Sequence, residues 1–231
     1  MKYQHLFFDL DHTLWDFERS SGECLTEVYH SFDMEGAGIA SLPDFIATYL
    51  RINYQLWREL ERGEIPHGHI REHRFRRVLE EFGVKADIDF QPMEEAYLEM
   101  LPTKSYLIEG SLEVLDYARD RGYQLHILTN GFDLVQGKKM QSAGISDYFV
   151  HIITNEKAQA RKPDRRIFDY ARQCAGAGCA ESLMIGDNWE ADILGAKAAG
   201  LDTVYYNPAE NIFDVSPTHD IRHLRDLMKI L

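Results

Sequence analysis

The sequence predicts an α/β protein with a doubly wound parallel sheet and an inserted helical domain. Three observations carry this. Short apolar runs alternate with amphipathic helical patterns along much of the 231 residues, which implies parallel strands joined by right-handed helical crossovers. Several runs end in reactive or polar residues, as strands do at the ligand-binding edge of an open α/β sheet. One long stretch after the first run holds helical patterns alone.

In chain order, the first strand is expected over Leu6 to Leu10. Helical patterns follow over Phe17 to Phe32, Pro43 to Arg62, Ile70 to Phe82 and Met93 to Leu101, punctuated by Gly63, Pro66, Gly83 and Pro92. This stretch reads as a helical domain, residues 15–101, inserted into a core of residues 1–14 and 102–231. Further strands are expected over Gln124 to Leu128, Phe149 to Thr154, Ser182 to Ile185 and Thr203 to Tyr206. Helices are expected over Leu112 to Arg121, Val135 to Ala143, Arg166 to Gln173 and Ala191 to Ala199.

Bulk properties narrow the class. The hydrophobic content of 45% is ordinary for a globular protein, and the chain is long enough for a real core. No apolar run approaches the roughly 18 residues of a membrane span. Met1 to His5 lacks the pattern of a signal peptide, so a cytoplasmic location and no membrane partner are expected. A net charge of −13 argues against a nucleic-acid polymer as partner. An anionic small molecule stays possible, because a bound metal and one lysine reverse the local field. Cys24, Cys174 and Cys179 lack metal-site spacing and read as reduced thiols.

The chemistry lies at the strand ends. Asp9 and Asp11 follow the first apolar run, Thr129 and Asn130 the second, and Asp187 the fourth, with Asp192 five residues on. Lys162 lies past the third. Residues two apart on a strand point the same way, so Asp9 and Asp11 are expected to face one site. Clustered carboxylates need a cation, and oxygen ligands alone favour a hard one such as Mg²⁺. A hydroxyl, main-chain amides at a strand–helix turn and a lysine cradle phosphate. A carboxylate beside them can attack phosphorus and form an aspartyl-phosphate, while a second transfers the proton. Phosphoryl transfer to water is the reaction this set suits.

The motifs Asp9-Leu10-Asp11-His12-Thr13, Leu128-Thr129-Asn130-Gly131, Lys162-Pro163 and Gly186-Asp187 with Asp192 stand in an order that resembles the haloacid dehalogenase (HAD) superfamily of phosphatases. The resemblance spans most of the core and implies a Rossmann-like fold. The helical insertion resembles that family's C1 cap, where substrate choice is made. By position, the resemblance implies Asp9 as nucleophile and Mg²⁺ ligand. It implies Asp11 as general acid and base, with its main-chain carbonyl on the metal. Thr129, Asn130 and Lys162 are implied at the phosphoryl group, Asp187 as a further metal ligand, and Asp192 in support. The texture around Phe7 to Phe17, Thr129 to Phe132 and Ile167 to Ala171 resembles HAD-type pyrimidine 5'-nucleotidases. A nucleoside 5'-monophosphate is therefore the expected small-molecule partner of a monomer or homodimer. Phosphoglycolate or sugar-phosphate hydrolysis and phosphomutase activity are the alternatives; dehalogenation is disfavoured by the acid at Asp11.

Plainer readings apply elsewhere. Lys157 rivals Lys162, whose Lys-Pro context matches the family better. His67, His69 and His73, amid arginines, read as a solvated basic face. Trp15, Phe17 and Trp57 read as core packing rather than as stacking partners for a substrate.

Overall fold

The computed structural model describes residues 2–66, 68–84 and 89–231. Its strands are β1 (His5–Phe8), β2 (Gln124–Thr129), β3 (Phe149–Thr154), β4 (Ser182–Gly186), β5 (Asp202–Tyr206) and β6 (His219–Ile221). They form one parallel sheet in the order β3-β2-β1-β4-β5-β6. The chain thus builds outward from β1 to one edge, returns to β4 on the other side of β1, and builds to the opposite edge. That reversal is the switch point at which doubly wound sheets open a crevice beyond their carboxyl ends. Register aligns the crevice: Phe8 stands opposite both Ile127 and Ile185, so the residues after each strand emerge level.

Two strand expectations differ from what forms. β1 ends at Phe8 rather than Leu10, because the chain turns at once: the N–H groups of Leu14 and Trp15 both donate to the Leu10 carbonyl. β6 is too short and polar to register as an apolar run. It is held by its pairing with β5, Val204 opposite His219.

Helices α1 (Phe17–Ser31), α2 (Leu42–Glu61), α3 (His69–Glu81) and α4 (Gln91–Met100) precede β2 in the chain, as does α5 (Ser111–Asp120). After β2 come α6 (Asp133–Ser142), α7 (Asn155–Ala158), α8 (Arg165–Ala175) and α9 (Gly195–Ala198). The pattern expected to give a helix over Ala191 to Ala199 instead opens with a π-helical turn, Trp189–Leu194, before α9. A wide turn has nearly the same apolar spacing as an α-helix, so periodicity does not separate them.

The chain divides into two compact units, residues 1–17 with 105–231, and residues 18–104. In the first unit, Phe7, Leu128, Ile153 and Met184 from the sheet pack with Ile167, Phe168 and Ala171 of α8 and with Ala196 of α9. Leu6, Phe8, Leu125 and Ile127 point to the other face and are also buried, so neither face of the central strands meets water. Trp15 stays with this unit: it bridges Asp11 and Leu107 and is fully buried.

The second unit is helical. Its interior holds an ion pair, Arg74 donating to Glu94 and to the Asn53 amide oxygen at 2.9 Å, walled by the rings of Tyr49, Phe75 and Tyr97. Such a pair is tolerated only when its remaining hydrogen-bonding groups are also met, and the Asn53 contact does this for Arg74. On α3, His69 and His73 stack one turn apart, and the His73 Nδ1–H donates to the His69 carbonyl at 3.0 Å. His67 lies outside the described residues. All three cysteines are free. Among the described residues, no helix is long and apolar enough to cross a membrane.

Candidate active site

Asp9 is the first residue past β1. Its N–H donates to the Ile185 carbonyl at 2.9 Å, which carries the β1–β4 ladder one step beyond the strand and holds the residue still. Its carboxylate accepts from Lys162 Nζ at 2.5 Å. Asp187 follows β4, and its Oδ1 accepts from the Thr13 hydroxyl at 3.0 Å. Asp192 rides the π-helical turn, fully buried, with Oδ1 accepting from Lys162 Nζ at 2.6 Å and Oδ2 from the Asn188 N–H at 3.0 Å. Carboxylate oxygens of Asp9, Asp187 and Asp192 all lie within 4.8 Å of one another.

Lys162 is the hub. Beyond Asp9 and Asp192, its ammonium donates to the Leu128 carbonyl at 2.8 Å, so all three N–H bonds are spent. Asn130 fixes the main chain there: its amide donates to the Lys162 carbonyl at 2.9 Å and accepts from the Lys162 N–H at 2.8 Å. The Asn130 side chain is therefore committed to Lys162. Lys157 points elsewhere, to Asp133 at 2.8 Å and the Ile152 carbonyl at 3.1 Å.

Asp11 follows the end of β1 and lies close enough to Asp9 for its charge to raise the pKa of that group. His12 takes a left-handed conformation, φ 63°, rare without glycine, in the turn after Asp11, whose carboxylate meets α6. There Oδ1 accepts from Lys139 Nζ at 2.5 Å and Oδ2 from Gln136 Nε2 at 2.8 Å. Gln136 also donates to Thr129 Oγ1 at 2.8 Å, and the Gly131 N–H donates to the same hydroxyl at 3.0 Å. Two side chains absent from the sequence reading thus enter the site. The available signal was weak: Gln136 and Lys139 sit three apart on one helical face, but polar residues on a helix read as solvated. On α6, Gln136 and Lys139 are buried beside Met140, while Leu134 stands 79% exposed.

The charges are unevenly met. Burial, and then the neighbouring carboxylates, push Asp9 up to about 7 against the pull of Lys162. Burial, with Asp9 beside it, pushes Asp187 up to about 6, and burial likewise raises Asp192. Burial alone would raise Asp11 too, but the Lys139 ammonium and the two hydrogen bonds hold it below the ordinary range. Three crowded carboxylates with one shared ammonium are short of positive charge, while Asp11 is already compensated. The donor set around the deficit is all oxygen, which fits a small hard divalent cation.

Residues 3–200 match the family model described as haloacid dehalogenase-like hydrolase. The chain belongs to the haloacid dehalogenase-like hydrolases. The crystal structure of the HAD-hydrolase YfnB from Bacillus subtilis, bound to magnesium, resembles it with a TM-score of 0.89 and 31% identity, over 100% of this chain and 99% of that one. Two of the curated relatives are named as pyrimidine 5'-nucleotidases. Pyrimidine 5'-nucleotidase PynA of Streptococcus pneumoniae is 32% identical over 100% of this chain and 96% of its own length. Pyrimidine 5'-nucleotidase YjjG of Escherichia coli is 29% identical over 100% of this chain and 99% of its own. In this HAD hydrolase the acidic cluster sits at the switch point of the sheet, and the Thr129 turn follows the neighbouring strand β2.

Proposed function

We propose that this HAD hydrolase is a Mg²⁺-dependent phosphomonoesterase acting through an aspartyl-phosphate on Asp9, with nucleoside 5'-monophosphates, pyrimidine ones preferred, as substrates. The observation that carries the reading is the juxtaposition of Asp9 with Lys162 and with two further carboxylates short of positive charge. The names of PynA and YjjG support the substrate class. The helical unit, residues 18–104, would select among substrates, as insertions near a fixed catalytic core do.

Asp9 attacks phosphorus, and the ester P–O bond breaks as the new bond to the carboxylate forms. Asp11, once it has taken up a proton with the anionic substrate bound beside it, hands that proton to the departing alkoxide, which leaves as the nucleoside alcohol. Asp11 then removes a proton from water, the resulting hydroxide attacks phosphorus, and Asp9 is released with inorganic phosphate. The Thr129 hydroxyl and the main chain at Asn130 and Gly131 hold phosphoryl oxygens. Lys162, anchored by Asp192 and the Leu128 carbonyl, orients Asp9, opposes its protonation and stabilises the phosphoryl group once it is joined to Asp9. The cation would be held by Asp9, Asp187 and the Asp11 main-chain carbonyl. When bound, it adds positive charge beside the nucleophile and the transferred group.

The test is a phosphate-release panel with Mg²⁺ over pyrimidine and purine monophosphates, phosphoglycolate and hexose phosphates, with Asp9→Asn as the blank. The pyrimidine monophosphates should show the highest kcat/KM, and the variant none. Faster turnover of phosphoglycolate or a hexose phosphate would overturn the substrate, and residual turnover by Asp9→Asn would overturn the nucleophile. Phosphorus NMR that finds migrated phosphate in place of inorganic phosphate would make the enzyme a mutase.

A further inference from the structure

We infer that Gln136 and Lys139 are positioning residues for Asp11: a clamp on α6 that aims the proton-transfer carboxylate and ties it to the phosphoryl-binding hydroxyl of Thr129. This rests on the assignment of Asp11 as general acid and base.

The clamp engages both oxygens of Asp11, one from Lys139 and one from Gln136. The two clamp residues are three apart on α6 and so share a face. They are 1% and 3% exposed, which removes water as a competitor. Burying an amide and an ammonium is costly unless each is hydrogen-bonded, and here the bonds run to the candidate catalytic groups. Lys139 Nζ also lies over the Trp15 ring, 4.4 Å from its centre, with the Phe17 ring at 5.6 Å. These rings fix the ammonium where Asp11 needs it and explain why two aromatic residues follow the acidic motif.

Gln136 does the coupling. Its amide has two hydrogens, one to Asp11 Oδ2 and one to Thr129 Oγ1. Thr129 Oγ1 also accepts from the Gly131 N–H, so both of its lone pairs are used. The one hydrogen of that hydroxyl is thereby directed outward, free to donate to a phosphoryl oxygen. One glutamine amide thus orients both the phosphate donor and the proton-transfer group. Gly131 makes the room: a Cβ there would lie 2.4 Å from Gln136 Nε2.

The experiment compares Lys139→Met, Lys139→Arg, Gln136→Leu and Asp11→Asn on two monoesters, uridine 5'-monophosphate and p-nitrophenyl phosphate. The first has an alkoxide leaving group that needs protonation; the second leaves without it. Lys139→Met and Gln136→Leu should each lose at least about 10-fold more kcat on the alkyl ester than on the aryl ester. Lys139→Arg should recover most of the loss. Adding Lys139→Met to Asp11→Asn should cost no more than about 2-fold further, since residues acting as a unit are not additive. Equal losses on both esters, or an undiminished loss in the Asp11→Asn background, would overturn the clamp. Thermal melts of each variant separate these outcomes from a folding defect. If Asp11→Asn is selective for the alkyl ester but the clamp variants are not, the clamp alone falls. If Asp11→Asn is not selective, the general-acid assignment falls and takes the clamp with it.

Discussion

Gly186 shows how little freedom the acidic cluster has. A Cβ added there would come within 2.2 Å of Asp192 Oδ2 and 2.4 Å of its Cγ. Asp192 cannot give way, because one oxygen is held by Lys162 and the other by the Asn188 N–H. Gly186→Ala should therefore push Asp192 off Lys162, which then loses one of its two anionic partners beside Asp9. We expect overpacking to cost about 1–3 kcal/mol in a denaturant melt, together with a fall in kcat. A variant with wild-type stability and turnover would show that the strand shifts without disturbing the lysine. The same reasoning applies to Gly131, whose missing Cβ admits Gln136.

Among the elements, the central strands carry a row of imidazoles. His126 of β2 is fully buried, stacked between His5 of β1 at 5.5 Å and His151 of β3 at 5.3 Å, with its Nδ1 lacking a hydrogen-bond partner. Burial first, and then the adjacent imidazoles, pull His126 from the ordinary 6.5 down to about 3. Between these values the unfolded chain binds the proton and the folded chain does not, so stability is full above about 6.5 and is lost as pH falls toward 3. His126→Leu removes this titration and the unpartnered Nδ1, together with the 3.2 Å bond between His126 Nε2 and His5 Nδ1. Its melting temperature should fall less than that of the wild type between pH 7 and pH 4.5. Parallel curves would show that the acid limb arises elsewhere. The wide turn at Trp189–Leu194 belongs to the same scale. It carries Asp192 back toward β4, where the Asn188 N–H meets it.

For the molecule as a whole, the sheet topology makes the site and the charge distribution makes it hungry for a cation. A chain of net charge −13 gathers Asp9, Asp187 and Asp192 within 4.8 Å against one shared lysine. Mg²⁺ should therefore raise the melting temperature; a ligand at about 100 times its dissociation constant adds about 2.7 kcal/mol. EDTA should reverse the shift and silence turnover. Asp187→Asn should lose most of the Mg²⁺ shift while keeping its fold. A shift of full size in that variant would move the cation away from the proposed ligands.

Much of this was legible in the order of residues. Each of Asp9, Thr129, Lys162 and Asp187 follows an apolar run, and a parallel sheet brings the ends of such runs to one edge; from alternation alone that placed them together. The parallel sheet and the run of helices after its first strand were legible for a related reason, since hydrophobic period follows from which face is buried, while the HAD fold came from the resemblance of the motifs. What the tertiary structure alone decided depends on direction and on burial of polar groups. The Asp11 carboxylate is met by Lys139 and Gln136, partners that strand alternation does not name. Gln136 and Lys139 are buried beside Met140 on a helix whose Leu134 faces water, which local pattern does not announce. β6 has too few apolar side chains to stand out, and exists because β5 offers it an edge. Sequence by itself determined which groups reach the crevice, because periodicity and chain order set strand ends. Tertiary structure decided which group each carboxylate faces, because hydrogen bonds between residues more than a hundred apart set side-chain direction.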